Sequence, residues 1–134
     1  MEEGTPMKDH LTVLLVDDDQ DFLEQTEIML KNAGHRVLPA TGRARAEEIL
    51  EETRPDIALV DLIMDRGDDG FVLAHRIKGK YPEVPVIIIT AAASKTGIDF
   101  ASLPDTGGWI KADAMLQKPV RFEQLETQIK RLCG

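Results

Sequence analysis

The sequence predicts a single α/β domain built on a parallel sheet that is covered by helices on both faces. Three observations lead to this prediction. Short β-rich runs such as LTVLLV and VPVIII are apolar on both faces, as strands buried from both sides are. These runs alternate along the chain with segments whose apolar residues recur at helical spacing. The length of 134 residues corresponds to one ordinary domain.

Five segments are predicted to be strands. The three most apolar are residues 11–16, 57–60 and 84–89. Residues 36–40 form a weaker strand, and because its Pro39 cannot donate to a strand ladder, this strand belongs near an edge or an end of the sheet. Residues 114–117 form a short fifth candidate.

Helical periodicity predicts four helices. The first covers about residues 20–32 and is closed by Gly34 at the C′ position. The third is expected to have Asp69 as its cap and Gly79 and Pro82 as its stops. The expected apolar faces consist of Phe22, Thr26, Met29 and Ala33 in the first helix, Ala46, Ile49, Leu50 and Thr53 in the second, Phe71, Ala74 and Ile77 in the third, and Phe122, Leu125, Ile129 and Leu132 in the fourth.

Composition argues against several classes of function. The net charge of −8 and the pI near 4.8 disfavour binding to a phosphate backbone. No stretch approaches the length of a membrane span, and the acidic start of the chain is unlike a signal peptide. Cys133 is the only cysteine, so it cannot form an internal disulfide. We therefore expect a cytoplasmic domain over residues 10–134, preceded by a disordered lead-in over residues 1–9.

Acidic side chains follow two of the predicted strands where each strand ends. Asp17 and Asp18 come directly after the first strand, and Asp61 ends the third. Ligands of a doubly wound sheet bind at the carboxyl ends of its strands, so these carboxylates should meet there. Two carboxylates ~4 Å apart repel by roughly 4 kcal/mol at an effective dielectric constant near 20, so three of them must take up protons or bind a cation. Hard oxygen ligands with no nearby histidine or cysteine favour Mg²⁺.

A lysine and a threonine are predicted at the same edge. Thr90 ends the fourth strand, and Lys118 follows the fifth. An ammonium and a hydroxyl beside a metal site suit a doubly charged phosphoryl group, which the lysine would bind as a point charge and the threonine as a donor. An aspartate beside a metal can attack phosphorus and form an acyl phosphate, and Asp61 on the central strand is the expected nucleophile.

Four motifs in this order resemble those of the receiver domain of two-component response regulators. They are V-D-D-D, L-V-D-L, I-I-I-T and L-Q-K-P, and the resemblance covers about Leu11 to Leu132. It implies a flavodoxin-like fold, with a doubly wound five-stranded parallel sheet of order 2-1-3-4-5 and helices on both faces. The site residues that it implies are Asp61 as phosphoacceptor, Asp17, Asp18, Asp61 and the backbone carbonyl of Ile63 as Mg²⁺ ligands, Lys118 as the phosphate-binding lysine, and Thr90 with Met115 at the switch positions.

The resemblance also implies an activity and partners. A receiver takes a phosphoryl group from the phosphohistidine of a histidine kinase or phosphotransfer protein and then hydrolyses the acyl phosphate itself, without turning over a separate substrate. Neither an output domain nor a basic recognition helix follows the last predicted helix. We therefore expect signalling through contact with a downstream protein and no direct binding of nucleic acid; the alternative is that the chain was excised from a larger kinase or regulator.

The chain departs from the family pattern around the site. Asp65 stands where the family usually has proline, Met115 where it usually has tyrosine or phenylalanine, and Arg121 where the last helix often has a capping side chain. Residues 91–112 form a longer interval than usual, for which we expect one short helix over about residues 94–102 and an irregular loop.

Two side chains near the acceptor predict a long-lived phosphoryl group. Ile63 and Ala92 lie two residues after Asp61 and Thr90. Neither side chain offers a group that orients an attacking water, and positioning of the nucleophile is a main contribution to phosphoryl-transfer rates. We therefore expect slow self-dephosphorylation.

Two alternatives remain open at this point. A receiver-like module that binds a partner without phosphorylation would accommodate Met115 and the long interval after Thr90. A haloacid-dehalogenase-type aspartyl phosphatase would also use a strand-end aspartate, a threonine, a lysine and an acidic metal pair. Against the phosphatase, Asp21 stands where that family expects threonine or valine, and its members generally need more residues.

Overall fold

A computed structural model describes residues 10–62, 69–90, 113–118 and 120–133. Strands and helices alternate along these residues as far as the fourth strand, and the fifth strand and the last helix follow. The elements are β1 (Thr12–Val16), α1 (Gln20–Asn32), β2 (Arg36–Ala40), α2 (Arg43–Glu52), β3 (Ile57–Asp61), α3 (Asp69–Lys80), β4 (Val86–Thr90), β5 (Ala114–Gln117) and α4 (Phe122–Cys133).

The five strands form one parallel sheet of order β2-β1-β3-β4-β5, which confirms the predicted topology. Pro39 lies on the outer strand β2, where the prediction placed it, and pairs with Leu15. The register aligns Val16 of β1 with Val60 of β3. The next residues along these two strands, Asp17 and Asp61, are therefore brought to the same level of the sheet.

Two apolar cores cover the faces of the sheet. Alternate residues of each strand point to opposite faces, so that Leu14 and Val60 join one core while Leu15 and Leu59 join the other. Helices α2 and α3 contribute to the first core the residues Ala46, Leu50, Leu73, Ala74 and Ile77. Helices α1 and α4 contribute to the second the residues Leu23, Leu30, Leu125 and Ile129. Helices on both faces are the predicted doubly wound arrangement.

The predicted apolar face of α1 is wrong by about one residue. The buried residues of this helix are Leu23, Thr26 and Leu30, whereas Phe22 and Met29 are only half-buried. Both sets have helical spacing, so the pattern alone does not decide which one faces the sheet. The end of the helix is as predicted, since Gly34 just beyond it takes a φ of 97°, the left-handed conformation that glycine adopts readily.

The bounds of α3 also differ from the predicted ones at both ends. The helix begins at Asp69 itself rather than after it, and Gly79 is helical instead of ending the helix, which continues to Lys80. Glycine lowers the stability of a helix interior without preventing helix formation, so Gly79 alone is a weak stop signal.

Helix α4 begins without a cap from Arg121. The side chain of Gln124 makes a different contact at this end, because its Oε1 accepts the backbone N–H of Arg121 at 3.1 Å. This is the returning half of a capping box, and it satisfies the N–H of Arg121 itself.

The first residues of α3 lie directly against the end of β3. The backbone N–H of Gly70 donates to the carbonyl oxygen of Leu62 at 3.2 Å. A Cβ atom at Gly70 would overlap the backbone carbonyl oxygens of Asp61 and Leu62. Glycine is therefore required here by the close approach of two backbones.

Replacing Gly70 by alanine should destabilise the fold. The added methyl group has no space, so Gly70→Ala should lower the free energy of unfolding by about 2 kcal/mol, a typical cost of overpacking. Gly79→Ala is the matched control, because no heavy atom lies within 4 Å of a Cβ there and alanine favours the helix by about 1 kcal/mol. Urea unfolding measures both, and a Gly70→Ala protein as stable as the parent would contradict the close approach.

Candidate functional site

Three aspartates converge at the carboxyl end of the sheet. One carboxylate oxygen from each of Asp17, Asp18 and Asp61 lies within 4.8 Å of the others. Asp17 is 0% and Asp61 6% exposed, whereas Asp18 is exposed. The structure therefore brings together the carboxylates that the sequence placed at one edge, two of them buried and one open to solvent.

Backbone hydrogen bonds fix the turn that carries the first two aspartates. The N–H of Asp17 donates to the carbonyl oxygen of Ala40 on β2 at 3.1 Å, and Asp17 Oδ1 accepts the N–H of Asp19 at 2.8 Å. Asp19 is in turn the N-cap of α1, since its Oδ1 accepts the N–H groups of Asp21 and Phe22. Asp19 thus caps this helix with its side chain and orients the carboxylate of Asp17 with its backbone N–H.

The ammonium group of Lys118 reaches into the acidic cluster from the end of β5. Its Nζ lies 2.8 Å from Asp17 Oδ2 and 3.9 Å from Asp61 Oδ2, and the lysine side chain is 23% exposed. The backbone N–H of Lys118 donates to the carbonyl oxygen of Thr90 at 2.8 Å, which anchors the residue beside β4. The ammonium therefore lies within 4.0 Å of carboxylate oxygens of two of the three aspartates.

An aromatic ring also contacts the ammonium. Lys118 Nζ lies 4.4 Å from the ring centroid of Phe22, well within the distance of a cation–π interaction. The helical spacing predicts that Phe22 lies on the buried face of α1, and it does not predict the contact with Lys118. No sequence signal reveals it, because Phe22 and Lys118 are far apart in the chain and meet only through the fold.

Thr90 lies at the end of β4 with its hydroxyl group buried. The residue is 1% exposed, and among the described residues its Oγ1 has no hydrogen-bond partner. A buried hydroxyl without a partner is costly, so this one is suited to an incoming polar ligand.

Met115 lies on the same face of the sheet as Thr90. It pairs with Ile88 in the register of β4 and β5 and packs, half-buried, against the core beneath α2 and α3. Thr90 follows Ile88 by two residues and therefore shares its face. The two positions assigned to a switch thus lie on one face of adjacent strands, two residues apart in the register.

Several predicted features lie outside the described residues. These are the lead-in over residues 1–9, Ile63 with its carbonyl ligand, Asp65, and residues 91–112 with the short helix expected there.

Removing the positive charge of Lys118 should destabilise the protein when divalent cations are absent. Lys118→Met leaves the carboxylates of the cluster without their ammonium, and loss of one partner of a largely buried ion pair costs about 3 kcal/mol. Urea unfolding in a chelating buffer should show this loss. Lys130→Met on the exposed side of α4 is the charge-matched control and should change stability by about 0.5 kcal/mol or less; equal effects of the two substitutions would contradict the ion pair.

Comparison with known protein families assigns most of the chain to one family. Residues 13–130 match the response regulator receiver domain. The chain belongs to the response regulator receiver family. All four elements that carry the receiver site, namely the ends of β1, β3, β4 and β5, lie within the matched residues.

Individual relatives are similar to this receiver over part of their own length. The transcriptional regulatory protein AfsQ1 of Streptomyces coelicolor is 31% identical over 119 residues, which are 89% of this chain and 49% of AfsQ1. The two-component response regulator ORR27 of Oryza sativa subsp. japonica is 36% identical over 113 residues, or 75% of this chain and 18% of ORR27. The receiver chain thus spans half or less of these curated relatives.

Solved structures include receivers of the same fold. The response regulator protein TrrA of Thermotoga maritima, solved in complex with Mg²⁺-BeF, superposes with a TM-score of 0.73 at 24% identity, covering 90% of this chain and 97% of TrrA. Within the part of the chain that the structure describes, no helix combines the length and the apolar character needed to cross a membrane.

Proposed function

We propose that this receiver accepts a phosphoryl group on Asp61 from a phosphohistidine, in a reaction that requires Mg²⁺. The observation that carries the proposal is the convergence of Asp17, Asp18 and Asp61 within 4.8 Å, with the ammonium of Lys118 beside them. This arrangement supplies a nucleophile, oxygen ligands for a cation and a positive charge for phosphoryl oxygens at one edge of the sheet.

The proposed reaction is an in-line displacement at phosphorus. A carboxylate oxygen of Asp61 forms a bond to phosphorus while the bond from phosphorus to the imidazole nitrogen of the donor breaks. The bonding electron pair leaves with the imidazole, and Asp61 becomes an acyl phosphate. Because such transfers depend mainly on positioning and charge stabilisation, the rigid placement of Asp61 at the end of the fully buried strand β3 favours the reaction.

Lys118 and Thr90 are proposed to bind the transferred group. The ammonium of Lys118 lies nearer to Asp17 than to Asp61, so a short movement would bring it from the acidic pair to a phosphoryl oxygen on Asp61. The buried hydroxyl of Thr90, which has no partner among the described residues, can donate a hydrogen bond to another phosphoryl oxygen.

The donor set fits Mg²⁺. Asp17, Asp18 and Asp61 offer carboxylate oxygens, which this cation prefers, and the carbonyl of Ile63 is the proposed further ligand. Three carboxylates this close together also favour a cation, and TrrA, which shares the fold, has been solved with Mg²⁺-BeF. When bound, Mg²⁺ would neutralise charge that develops on the phosphoryl oxygens.

The proposed partners follow from this chemistry. The donor is a histidine kinase or a phosphotransfer protein, and the phosphorylated receiver acts on a downstream protein in the cytoplasm. Thr90 and Met115 lie on one face of the sheet, on adjacent strands. They are the proposed positions through which phosphorylation of Asp61 changes the surface of the receiver. The chain covers 49% of AfsQ1, so no transcriptional activity is carried over from that relative.

Phosphorylation by a small-molecule phosphodonor tests the proposal. With phosphoramidate and Mg²⁺, the intact mass of the parent should increase by one alkali-labile phosphoryl group, and Asp61→Asn should show no increase. Asp21→Asn is the control, because it removes an exposed negative charge from the first turn of α1 and should be labelled like the parent.

The same experiment separates the alternatives. An unlabelled parent would contradict the proposed function and favour a module that binds without phosphorylation. Continuous release of phosphate from diverse esters would favour a phosphatase, which the family match already disfavours.

The phosphorylated form is expected to be long-lived. If the apolar side chain of Ile63 fails to orient the attacking water, then Ile63→Asn should lose the phosphoryl group faster than the parent, by roughly tenfold. Decay of the labelled mass after removal of the phosphodonor gives both rates. Ile28→Asn makes the same substitution at an exposed position of α1 and should decay like the parent; equal decay of all three proteins would contradict the prediction.

A further inference from the structure

The aromatic ring of Phe22 occupies an unusual place in the site. It lies in the first turn of α1 and is half-buried, packed against the core beneath α1 and α4. Its centroid lies 4.4 Å from Lys118 Nζ. The face of an aromatic ring attracts a cation electrostatically, and more strongly where water is partly excluded.

A series of contacts connects the Phe22 ring, the Lys118 ammonium and Asp17. Asp17 Oδ1 accepts the N–H of Asp19, and Asp19 Oδ1 accepts the N–H of Phe22 at 3.3 Å. The ring of Phe22 contacts the ammonium of Lys118, which returns to Asp17 Oδ2 at 2.8 Å. The backbone of Phe22 is therefore connected, through Asp19, to the same aspartate that contacts the ammonium.

The two contacts of the Lys118 ammonium, with Asp17 and with the Phe22 ring, should respond differently to cation binding in the proposed reaction. A cation bound by Asp17 and Asp18 would weaken the contact between Asp17 and the ammonium, since both compete for the same carboxylate charge. The ring of Phe22 binds no metal and keeps its contact. A flexible lysine without any fixed partner would have to give up more rotamer freedom to reach the phosphoryl group.

We propose that Phe22 is a positioning residue that holds the ammonium of Lys118 at the site when Asp17 binds the cation. The ring acts through its contact with Lys118. This inference rests on the proposed function, because it concerns the phosphorylation of Asp61.

Substitution of the ring tests this role. Phe22→Leu keeps an apolar side chain but removes the aromatic face, and it should slow labelling by phosphoramidate and Mg²⁺ by about three- to tenfold, the range expected for one cation–π contact. Phe22→Tyr keeps the face and should restore the rate to within about twofold of the parent. Unfolding of each variant by urea is measured alongside, so that rates are compared only between folded proteins.

A double substitution distinguishes positioning from a structural effect. If Phe22 acts through Lys118, then adding Phe22→Leu to Lys118→Met should cause no further slowing, whereas a general disturbance of the site would slow both backgrounds equally. The resonances of the Lys118 side-chain carbon beside Nζ should also lose their ring-current shift in Phe22→Leu without any phosphodonor present.

The outcomes separate this inference from the proposed function. A parent that is not labelled on Asp61 would overturn both. A labelled parent with an equally fast Phe22→Leu variant, or with equal slowing in the two lysine backgrounds, would overturn the positioning role and leave the phosphorylation of Asp61 standing.

Discussion

Electrostatic repulsion among three carboxylates is the constraint on which the rest of this site depends. The parallel register of β1 and β3 brings Asp17 and Asp61 to one level, and the turn after β1 adds Asp18, so that their oxygens lie within 4.8 Å. At such a distance each pair of like charges repels by roughly 4 kcal/mol at an effective dielectric constant near 20. Lys118 offsets part of this repulsion by its contact with Asp17, and a cation bound as proposed would offset more of it.

The contacts that stabilise the fold lie mainly outside the site. Two apolar cores hold the five strands from both faces, and the backbone of Gly70 closes directly onto the end of β3. Asp17 is fixed by hydrogen bonds to the turn before α1, so a change in its charge environment reaches both Lys118 and the first turn of that helix. The Lys118 ammonium, which lies near both Asp17 and Asp61, would then link cation binding to the proposed phosphorylation.

The sequence was informative wherever local pattern and fold agree. Continuous apolar runs and Pro39 located the strands, and the resemblance to receivers supplied their order, which the sheet confirms. The meeting of the aspartates followed from the rule that parallel strands share a carboxyl edge. The pattern failed where two helical faces had the same spacing, as in α1, and where contact depended on side-chain reach or backbone approach, as for Phe22 and Gly70. The roles of Ile63 and residues 91–112 stay predictions, since these residues lie outside the described part of the chain.

The proposed chemistry requires that the three carboxylates at the ends of β1 and β3 act as one cation site. The most direct measurement is a Mg²⁺ titration that follows the side-chain carboxyl carbon resonances of the aspartates by NMR. We expect the resonances of Asp17, Asp18 and Asp61 to shift together with one midpoint while that of Asp21 stays in place. Shifts with separate midpoints, or no shift at Asp61, would contradict a shared site and with it the proposed chemistry at the end of β3.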